Sequence, residues 1–225
     1  MFGKCSALLV LLSVIAVAHG APRKHRRSTL PPWHHPCGEN YYTTTEENMV
    51  DGCETGLRSG LQLLTSSNAL ALDNYIESKY EELYSQVSNL PEHQYKQNWV
   101  PGKKDVKIVM DLVNADPKMV AEHLPKLHTD LQKFAVAFEE LVEDETRQDV
   151  HNALVETRDK LMMDLCEVEV SLTSMCLKVP ERVSENIMTG TDKDPEGETK
   201  RLVRDWGILF RYREYLSTWG KILHY

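Results

Sequence analysis

Residue types that often carry chemistry are present in this chain of 225 residues, but their spacing forms no catalytic or metal-binding pattern. His123 and His128 are five residues apart, so they do not share a helix face as residues four apart would, and we interpret them as surface histidines. His34-His35-Pro36-Cys37 contains metal-ligand types, yet a cysteine held in a disulfide is no thiolate ligand. We therefore predict no metal site and no cofactor.

Two acidic runs, Glu139-Glu140 and Glu143-Asp144-Glu145, are the other candidates for chemistry. Paired carboxylates work as acid and base only where their environments separate their pKa values, and nothing in the sequence buries these residues. Acids at the end of a helix also oppose its dipole, which favours a chain break or a partner surface there. Serine-hydrolase, zinc-protease and phosphate-loop motifs are absent from the sequence, so we predict that the protein is not an enzyme.

Tryptophans near the C-terminus are candidates for core or interface residues. Trp219 follows the apolar spacing of Leu216 and Leu223, so we predict that it packs in the core. Trp206 lies beside Arg204 near the expected start of the last helix, where an aromatic ring suits either the core or an exposed binding surface. The sequence leaves both interpretations of Trp206 open.

The N-terminus has the pattern of a secretory leader. Leu8 to Val17 is an apolar run of signal-peptide length, Lys4 precedes it, and small residues follow it up to Gly20. We predict a signal peptide over residues 1–20 and an arm over residues 21–46. The basic run at residues 23–27 fits a furin-like processing site, with a second cut after Arg27 as a hypothesis.

The net charge of the chain indicates which classes of partner it can bind. Residues 1–27 contain five basic residues and no acidic residue, so the chain from residue 28 carries 21 basic and 34 acidic residues. Its net charge is −13, against −8 for the whole chain. Nucleic acids and anionic membranes are bound chiefly through excess lysine and arginine. We therefore predict a protein partner, no nucleic acid and no membrane insertion.

The spacing of apolar residues predicts an all-α fold, with a bundle domain over residues 47–225. Spacings of three and four recur in four segments and predict helix A at 47–88, with a bend at Ser66-Ser67-Asn68, and helix B up to about residue 143, with a kink or a start at Pro125. They also predict helix C at about 147–178 and helix D from about Leu202 onward. Residues 106–113 could form a short extra helix.

The predicted connections between helices are long, short and long. A short connection makes consecutive helices antiparallel, whereas a long one allows the chain to return along the bundle. This order predicts an up-up-down-down four-helix bundle with two long crossover loops.

Four cysteines remain after the leader is removed, which predicts two disulfides in an oxidising compartment. Three pairings are open by number alone. Cys166 and Cys176 are about 15 Å apart along a continuous helix, beyond the reach of roughly 7 Å between bridged Cα atoms. Because helices A and C would run antiparallel, we predict the nested pairs Cys37–Cys176 and Cys53–Cys166.

Several short runs have counterparts in one protein family: His35-Pro36-Cys37 before helix A, Ser66-Ser67-Asn68-Ala69-Leu70 within it and Leu216-Ser217-Thr218-Trp219 on helix D. Together with the loop order, they resemble the long-chain helical cytokines of the leukaemia inhibitory factor, ciliary neurotrophic factor and interleukin-6 group. The four cysteines also resemble that group, in which two N-terminal cysteines are bridged to two at the end of helix C. Members that use the leukaemia inhibitory factor receptor carry Phe-x-x-Lys at the start of helix D, where this chain has Val203 and Trp206. We take Val203, Arg204 and Trp206 as candidate receptor-binding residues.

The resemblance implies a secreted protein, monomeric when free, that binds cell-surface cytokine receptor ectodomains. Its receptors would be class I chains of the gp130 type, which signal through JAK kinases and STAT factors. Exposed positions of helices A and C would hold one receptor chain and the start of helix D another. The alternative function is a secreted helical carrier, with lipid or another small apolar ligand held between its helices.

Overall fold

The computed structural model describes residues 30–38, 53, 59–80, 84–85, 87, 95, 97–116 and 119–224. Over these residues the protein is all-helical, without a β-strand, as the spacing of apolar residues predicts. The predicted signal peptide at 1–20, the basic run at 23–27 and most of the predicted arm at 21–46 lie outside the described residues, as does most of the beginning of predicted helix A.

Five α-helices make up the described fold: α1 (Ser59–Tyr75), α2 (Lys103–Ala115), α3 (Val120–Asp144), α4 (Gln148–Ser174) and α5 (Glu198–Ile222). A π-helical segment, Ile76–Tyr80, continues α1 directly. Short 3-10 turns lie at Pro32–His34, Glu185–Ile187 and Gly190–Asp192. Helices α1, α3, α4 and α5 correspond to predicted helices A to D, with α5 beginning four residues before Leu202, and α2 forms where the extra helix was expected.

Two details of the helices bear on the prediction. Helix α1 continues through Ser66-Ser67-Asn68, where a bend was expected, to Tyr75, and the departure from α-helical geometry is the π-helical segment that follows. Helix α3 begins at Val120, so the start expected at Pro125 is wrong and Pro125 lies inside the helix, where a kink stays a prediction.

Four pairs of helices are antiparallel. In each pair, residues further along one helix contact residues nearer the beginning of the other. Against α4, the first helix and its π-helical continuation place Asn68 with Lys160 and Tyr80 with Thr157, and α3 places His128 with Glu169 and Glu139 with Arg158. Against α5, α3 places Phe134 with Tyr215 and Asp144 with Arg204. The first helix and the residues after it place Asp73 with Arg213 and Tyr84 with Trp206 of α5. Helix α2 packs against α5.

Aromatic rings fill the interior between α3 and α5. The ring centroid of Phe134 is 5.0 Å from that of Tyr212 and 5.4 Å from that of Tyr215, and Phe138 lies 5.2 Å from Tyr212. All four rings are buried. Trp219 is fully buried as well, which confirms its predicted place in the core.

Two disulfides join the N-terminal residues to α4, but the predicted partners are wrong. Cys37 is bonded to Cys166 and Cys53 to Cys176, with Cα–Cα distances of 4.9 and 5.5 Å. The nested pairs Cys37–Cys176 and Cys53–Cys166 assumed an arm that continues past the end of α4. Disulfides of this kind are typical of extracellular proteins.

The path of residues 30–38 explains the different pairing. Their 3-10 turn packs against α3 and α4, and the buried Trp33 donates a hydrogen bond from Nε1 to the carbonyl of Val183 at 2.9 Å. The chain therefore lies against the body of α4, where Cys37 reaches Cys166. Cys176 follows the end of α4 in a left-handed conformation, with φ of 56°. Because Cys166 is bonded to Cys37, Cys176 pairs with Cys53.

A buried polar network lies beneath this segment, and it corrects the interpretation of His128 as a surface residue. His128 is fully buried, and its Nε2 is 2.8 Å from Oε1 of Glu169, which also pairs with Arg182. Gln132 contacts His128 at 3.1 Å and accepts a hydrogen bond from the amide of Val183 at 2.9 Å. The network fixes the chain that leaves α4.

Asp164 of α4 is 1% exposed, and its carboxylate lies in the interior beside Asn68 and Thr65 of α1. Burial raises the pKa of Asp164 from 3.8 to about 7, although the nearby Asn68, Thr65 and Lys160 oppose the increase. A carboxyl group in this environment is more stable when protonated.

The raised pKa predicts that stability falls as the pH rises from 4 to 7. In this range the unfolded chain has released the proton of Asp164 while the folded chain keeps it, so each pH unit lowers the free energy of unfolding by up to about 1.4 kcal/mol. The loss should level off above pH 7. Urea unfolding across this range should show the decline in the native chain and a flatter profile in Asp164→Asn; equal slopes would contradict the assignment.

The disulfide pairing predicts a specific peptide map. Glu167 and Glu169 lie between Cys166 and Cys176, and Glu39 lies between Cys37 and Cys53, so a glutamate-specific protease separates all four cysteines. Mass spectrometry of the unreduced digest should find a Cys37–Cys166 peptide and a Cys53–Cys176 peptide. Recovery of the nested pairs instead would show that residues 30–38 follow another path.

Candidate functional site

The first turns of α5 carry the three residues expected to bind a partner. Two of them lie at the surface of the helix, and the third is buried. Val203 and Trp206 are half-buried at the surface of α5. Arg204 is only 2% exposed, so a partner cannot contact it without rearranging the helix start. Arg204 therefore belongs to the interior, and the exposed candidates are Val203 and Trp206.

Arg204 joins three parts of the chain. Its Nε donates to the carboxylate of Asp205 at 2.8 Å, and its Nη2 donates to Asp144, at the end of α3, at 2.8 Å. Its Nη1 donates to the carbonyl of Asp192 at 3.1 Å and to that of Lys193 at 3.3 Å. Because a guanidinium presents its donors in a fixed plane, this residue sets the positions of α3, α5 and the loop between α4 and α5.

Glu143 is exposed, but the other acidic residues at the end of α3 lie in or beside this cluster, where the sequence had offered nothing to bury them. Glu145 is only 6% exposed and pairs with Arg201 at 3.7 Å, and Glu140 pairs with Lys193 at 2.9 Å. Burial also raises the pKa of Glu139. The acids that oppose the dipole of α3 are therefore paired with basic residues of the same chain.

Trp206 belongs to a stripe of rings at the surface. Its ring centroid is 5.6 Å from that of Tyr84 beneath it and 6.2 Å from that of Phe210, one turn further along α5. Val203, Trp206 and Phe210 are spaced by three and four residues, so they lie on one face of the helix. Phe210 is 37% exposed and adjoins the half-buried Val203 and Trp206, so the three residues form one apolar patch at the surface.

The sequence does not distinguish Phe210 as a surface residue, because Phe210 follows the same apolar spacing as the residues that build helix D. The signal available was its distance of four residues from Trp206. Close approach of another segment also shapes this surface: a Cβ atom on Gly207 would lie 2.2 Å from Cβ of Tyr95. Glycine at position 207 thus allows Tyr95 to pack directly against the backbone of α5.

A surface groove adjoins Phe210. Its volume is about 210 Å³, and it is lined by Asp73, Lys103, Phe210, Arg213, Glu214, Ser217, Thr218 and Lys221. Most of these side chains are polar or charged, so the groove extends the aromatic stripe with a hydrophilic surface.

A second set of exposed apolar side chains lies on α1 and α4. Leu63 and Leu70 are 74% and 63% exposed, and their spacing of seven places them on one face of α1. Met163 of α4 is 55% exposed, and in sequence it lies between Lys160, whose carbonyl accepts a hydrogen bond from Asn68 of α1, and Glu167, whose carboxylate lies beside Gly60 of α1. These three exposed residues are here called the α1/α4 set.

Within the described part of the chain, no group of three or more histidine, cysteine, aspartate or glutamate side chains could hold a metal ion. No helix there is long and apolar enough to span a membrane. The surfaces described above can contact a partner through apolar and aromatic side chains, and they form no constellation of nucleophile and base.

Comparisons with known proteins give no relative: no protein-family model, no curated protein and no solved structure matches this chain.

The buried position of Arg204 predicts a large loss of stability when its charge is removed. Arg204→Met leaves Asp205 and Asp144 without their buried cation, which should lower the free energy of unfolding by about 3 kcal/mol. Arg213→Met is the matched control, because the Arg213–Asp73 pair is exposed at 43% and 38%. Its loss should stay below about 1 kcal/mol in urea unfolding. Similar losses in both variants would contradict the interior role of Arg204.

Proposed function

We propose that this protein is a secreted helical cytokine that binds two receptor chains and brings them together. The observation that carries the proposal is the presence of two apolar sets at the surface of one disulfide-linked helical body: the exposed α1/α4 set, and the stripe of the exposed Phe210 with the half-buried Val203 and Trp206. A protein that works by recognition needs such surfaces and no reactive centre.

The position of the two sets supports simultaneous binding. Gln62, next to Leu63, contacts His224 near the end of α5, whereas Trp206 lies near the start of that helix. The rise of 1.5 Å per residue places the levels of Leu63 and Trp206 about 27 Å apart along α5. The nearest members, Leu70 and Phe210, each lie three residues before the paired Asp73 and Arg213, so their levels are about 9 Å apart. Two receptor chains could therefore occupy the protein without competing for the same residues.

The proposed architecture is an up-up-down-down four-helix bundle of α1, α3, α4 and α5. The antiparallel contacts support it: α1 and α3 are each antiparallel to α4, and α5 is antiparallel to α1. The connection between α3 and α4 is only three residues, whereas the connections on either side of this pair are long. That order is the one found in helical cytokines.

The class of receptor follows from the resemblance seen in the sequence. We propose class I cytokine receptors of the gp130 type, with signalling through JAK kinases and STAT factors. The two disulfides support an extracellular site of action. Val203 and Trp206 stand where members that use the leukaemia inhibitory factor receptor carry Phe-x-x-Lys. The receptor chain that binds α5 should therefore contact an aromatic surface.

A carrier of apolar ligands is the less favoured function. Such a carrier needs space between its helices, with an apolar lining. The interior between α3 and α5 is instead filled by Phe134, Phe138, Tyr212 and Tyr215, whose neighbouring centroids are 5.0–5.4 Å apart.

The proposal predicts that each apolar set supports a different receptor chain. The full chain, secreted from animal cells, is tested against a panel of class I receptor ectodomains and on cells that carry a STAT reporter. Trp206→Ala and Phe210→Ala should weaken one receptor about tenfold or more, the effect of a residue at the centre of an interface. Leu63→Asp with Leu70→Asp should weaken the other.

Ile108→Ala is the control variant, because Ile108 is 67% exposed on α2 and belongs to neither set. It should bind like the native chain. Circular dichroism and thermal unfolding separate a lost contact from a lost fold, and Phe210→Ala is the more informative change because Phe210 is the more exposed ring. Absence of binding to every ectodomain, or copurification of an apolar ligand, would overturn the proposal.

A further inference from the structure

The π-helical segment Ile76–Tyr80 changes the register of the first helix by one residue. Before it, the buried positions are Leu61, Thr65, Asn68 and Leu72, with the spacing of an α-helix. An uninterrupted α-helix would next turn Lys79 inward, seven residues after Leu72. In the structure Lys79 is exposed and Tyr80 is buried, and the series continues with the buried Tyr84 and Val87.

The extra residue brings a row of rings into contact with α5. Tyr80 lies 6.3 Å from both Tyr75 and Tyr84, and Tyr84 lies 5.6 Å from Trp206. Tyr80 also contacts Oγ1 of Thr157 on α4 at 3.2 Å. With Lys79 in the place of Tyr80, a charged side chain would enter this interior, and Leu83, the residue before Tyr84, would take the place of Tyr84 beneath Trp206.

We infer that the π-helical segment is a one-residue register device: it places Tyr84 beneath Trp206 and so supports the surface ring pair of the half-buried Trp206 and the exposed Phe210. Tyr84 is then a positioning residue, which acts on a partner through Trp206. Only the consequence for receptor binding rests on the proposed function. The register itself can be tested on the free protein.

The outer side of the segment can lose a residue without losing a core contact. Glu77, Ser78 and Lys79 are all exposed. The hydroxyl of Ser78 donates to the carbonyl of Asn74 at 2.6 Å. A carbonyl in a π-helical turn does not bond the amide four residues on, and deletion of one residue restores that α-helical partner.

Deletion of Ser78 is compared with deletion of Ser67, an exposed serine of the same helix. Without Ser78, a continuous α-helix keeps Leu72, Tyr80 and Tyr84 inward, so we expect cooperative thermal unfolding within about 5 °C of the native Tm. Without Ser67, either the residues before it or Asn68 and Leu72 after it turn out of the core. We expect a Tm lower by more than about 10 °C, or no cooperative transition.

Comparable losses in the two deletion variants, or a greater loss without Ser78, would overturn the register device. Insertion of one alanine after Ser78 is the complementary change, because it turns Tyr80 and Tyr84 away from the interior. We expect it to abolish the near-ultraviolet circular dichroism that arises from the stacking of Tyr84 on Trp206, while far-ultraviolet helicity remains.

Substitutions at Tyr84 test its positioning role. The hydroxyl of Tyr84 is buried without a hydrogen-bond partner among the described residues, so Tyr84→Phe should keep the circular dichroism signature and receptor affinity. Tyr84→Leu should lose the signature and weaken by about tenfold only the receptor that needs Trp206. An unchanged signature in Tyr84→Leu would overturn the role of Tyr84. A changed signature with no binding even in the native chain would instead reject the proposed function and leave the register device standing.

Discussion

The packing of α5 against α3 is the interaction on which the rest of the structure depends. Phe134 lies against Tyr212 and Tyr215 of α5, and Phe138 lies against Tyr212, with all four rings removed from water. Burial of a side chain of this size contributes about 2–3 kcal/mol. Helix α5 also packs against α1 and α2, so the rings that fix α5 on α3 indirectly fix the other helices and the surface that α5 presents.

This packing brings polar groups into the interior, and they are satisfied unequally. The hydroxyl of Tyr215 donates to Asp130 at 3.0 Å, and Lys133 donates to the same carboxylate at 3.2 Å. The hydroxyl of Tyr212 is buried without a partner among the described residues. Burial raises the pKa of Asp164 to about 7, so a negative charge is costly in the interior beside α4. At the α3–α5 interface, the charge of Asp130 is instead compensated by Lys133.

The sequence predicted the helices because spacings of three and four directly reflect which residues can reach a common core. It could not predict the disulfide partners, since the path of residues 30–38 depends on Trp33 meeting Val183, a residue 150 positions away. Arg204 looked like a surface residue for the same reason: its burial depends on Asp144 at the end of another helix. The π-helical segment was also missed, because Leu83 continues the apolar spacing as well as Tyr84 does.

Phe210 shows why a functional surface is harder to predict than a core. Helix α5 carries more apolar residues than its neighbours can cover, and the neighbours decide which of them stay exposed. Trp206 and Phe210 stay at the surface because Tyr84 fills the space beneath Trp206. Behind them, Arg204 ties the start of α5 to Asp144 and Asp205. A ring pair supported in this way loses little conformational freedom when a partner covers it, so more of the energy of its burial remains for binding.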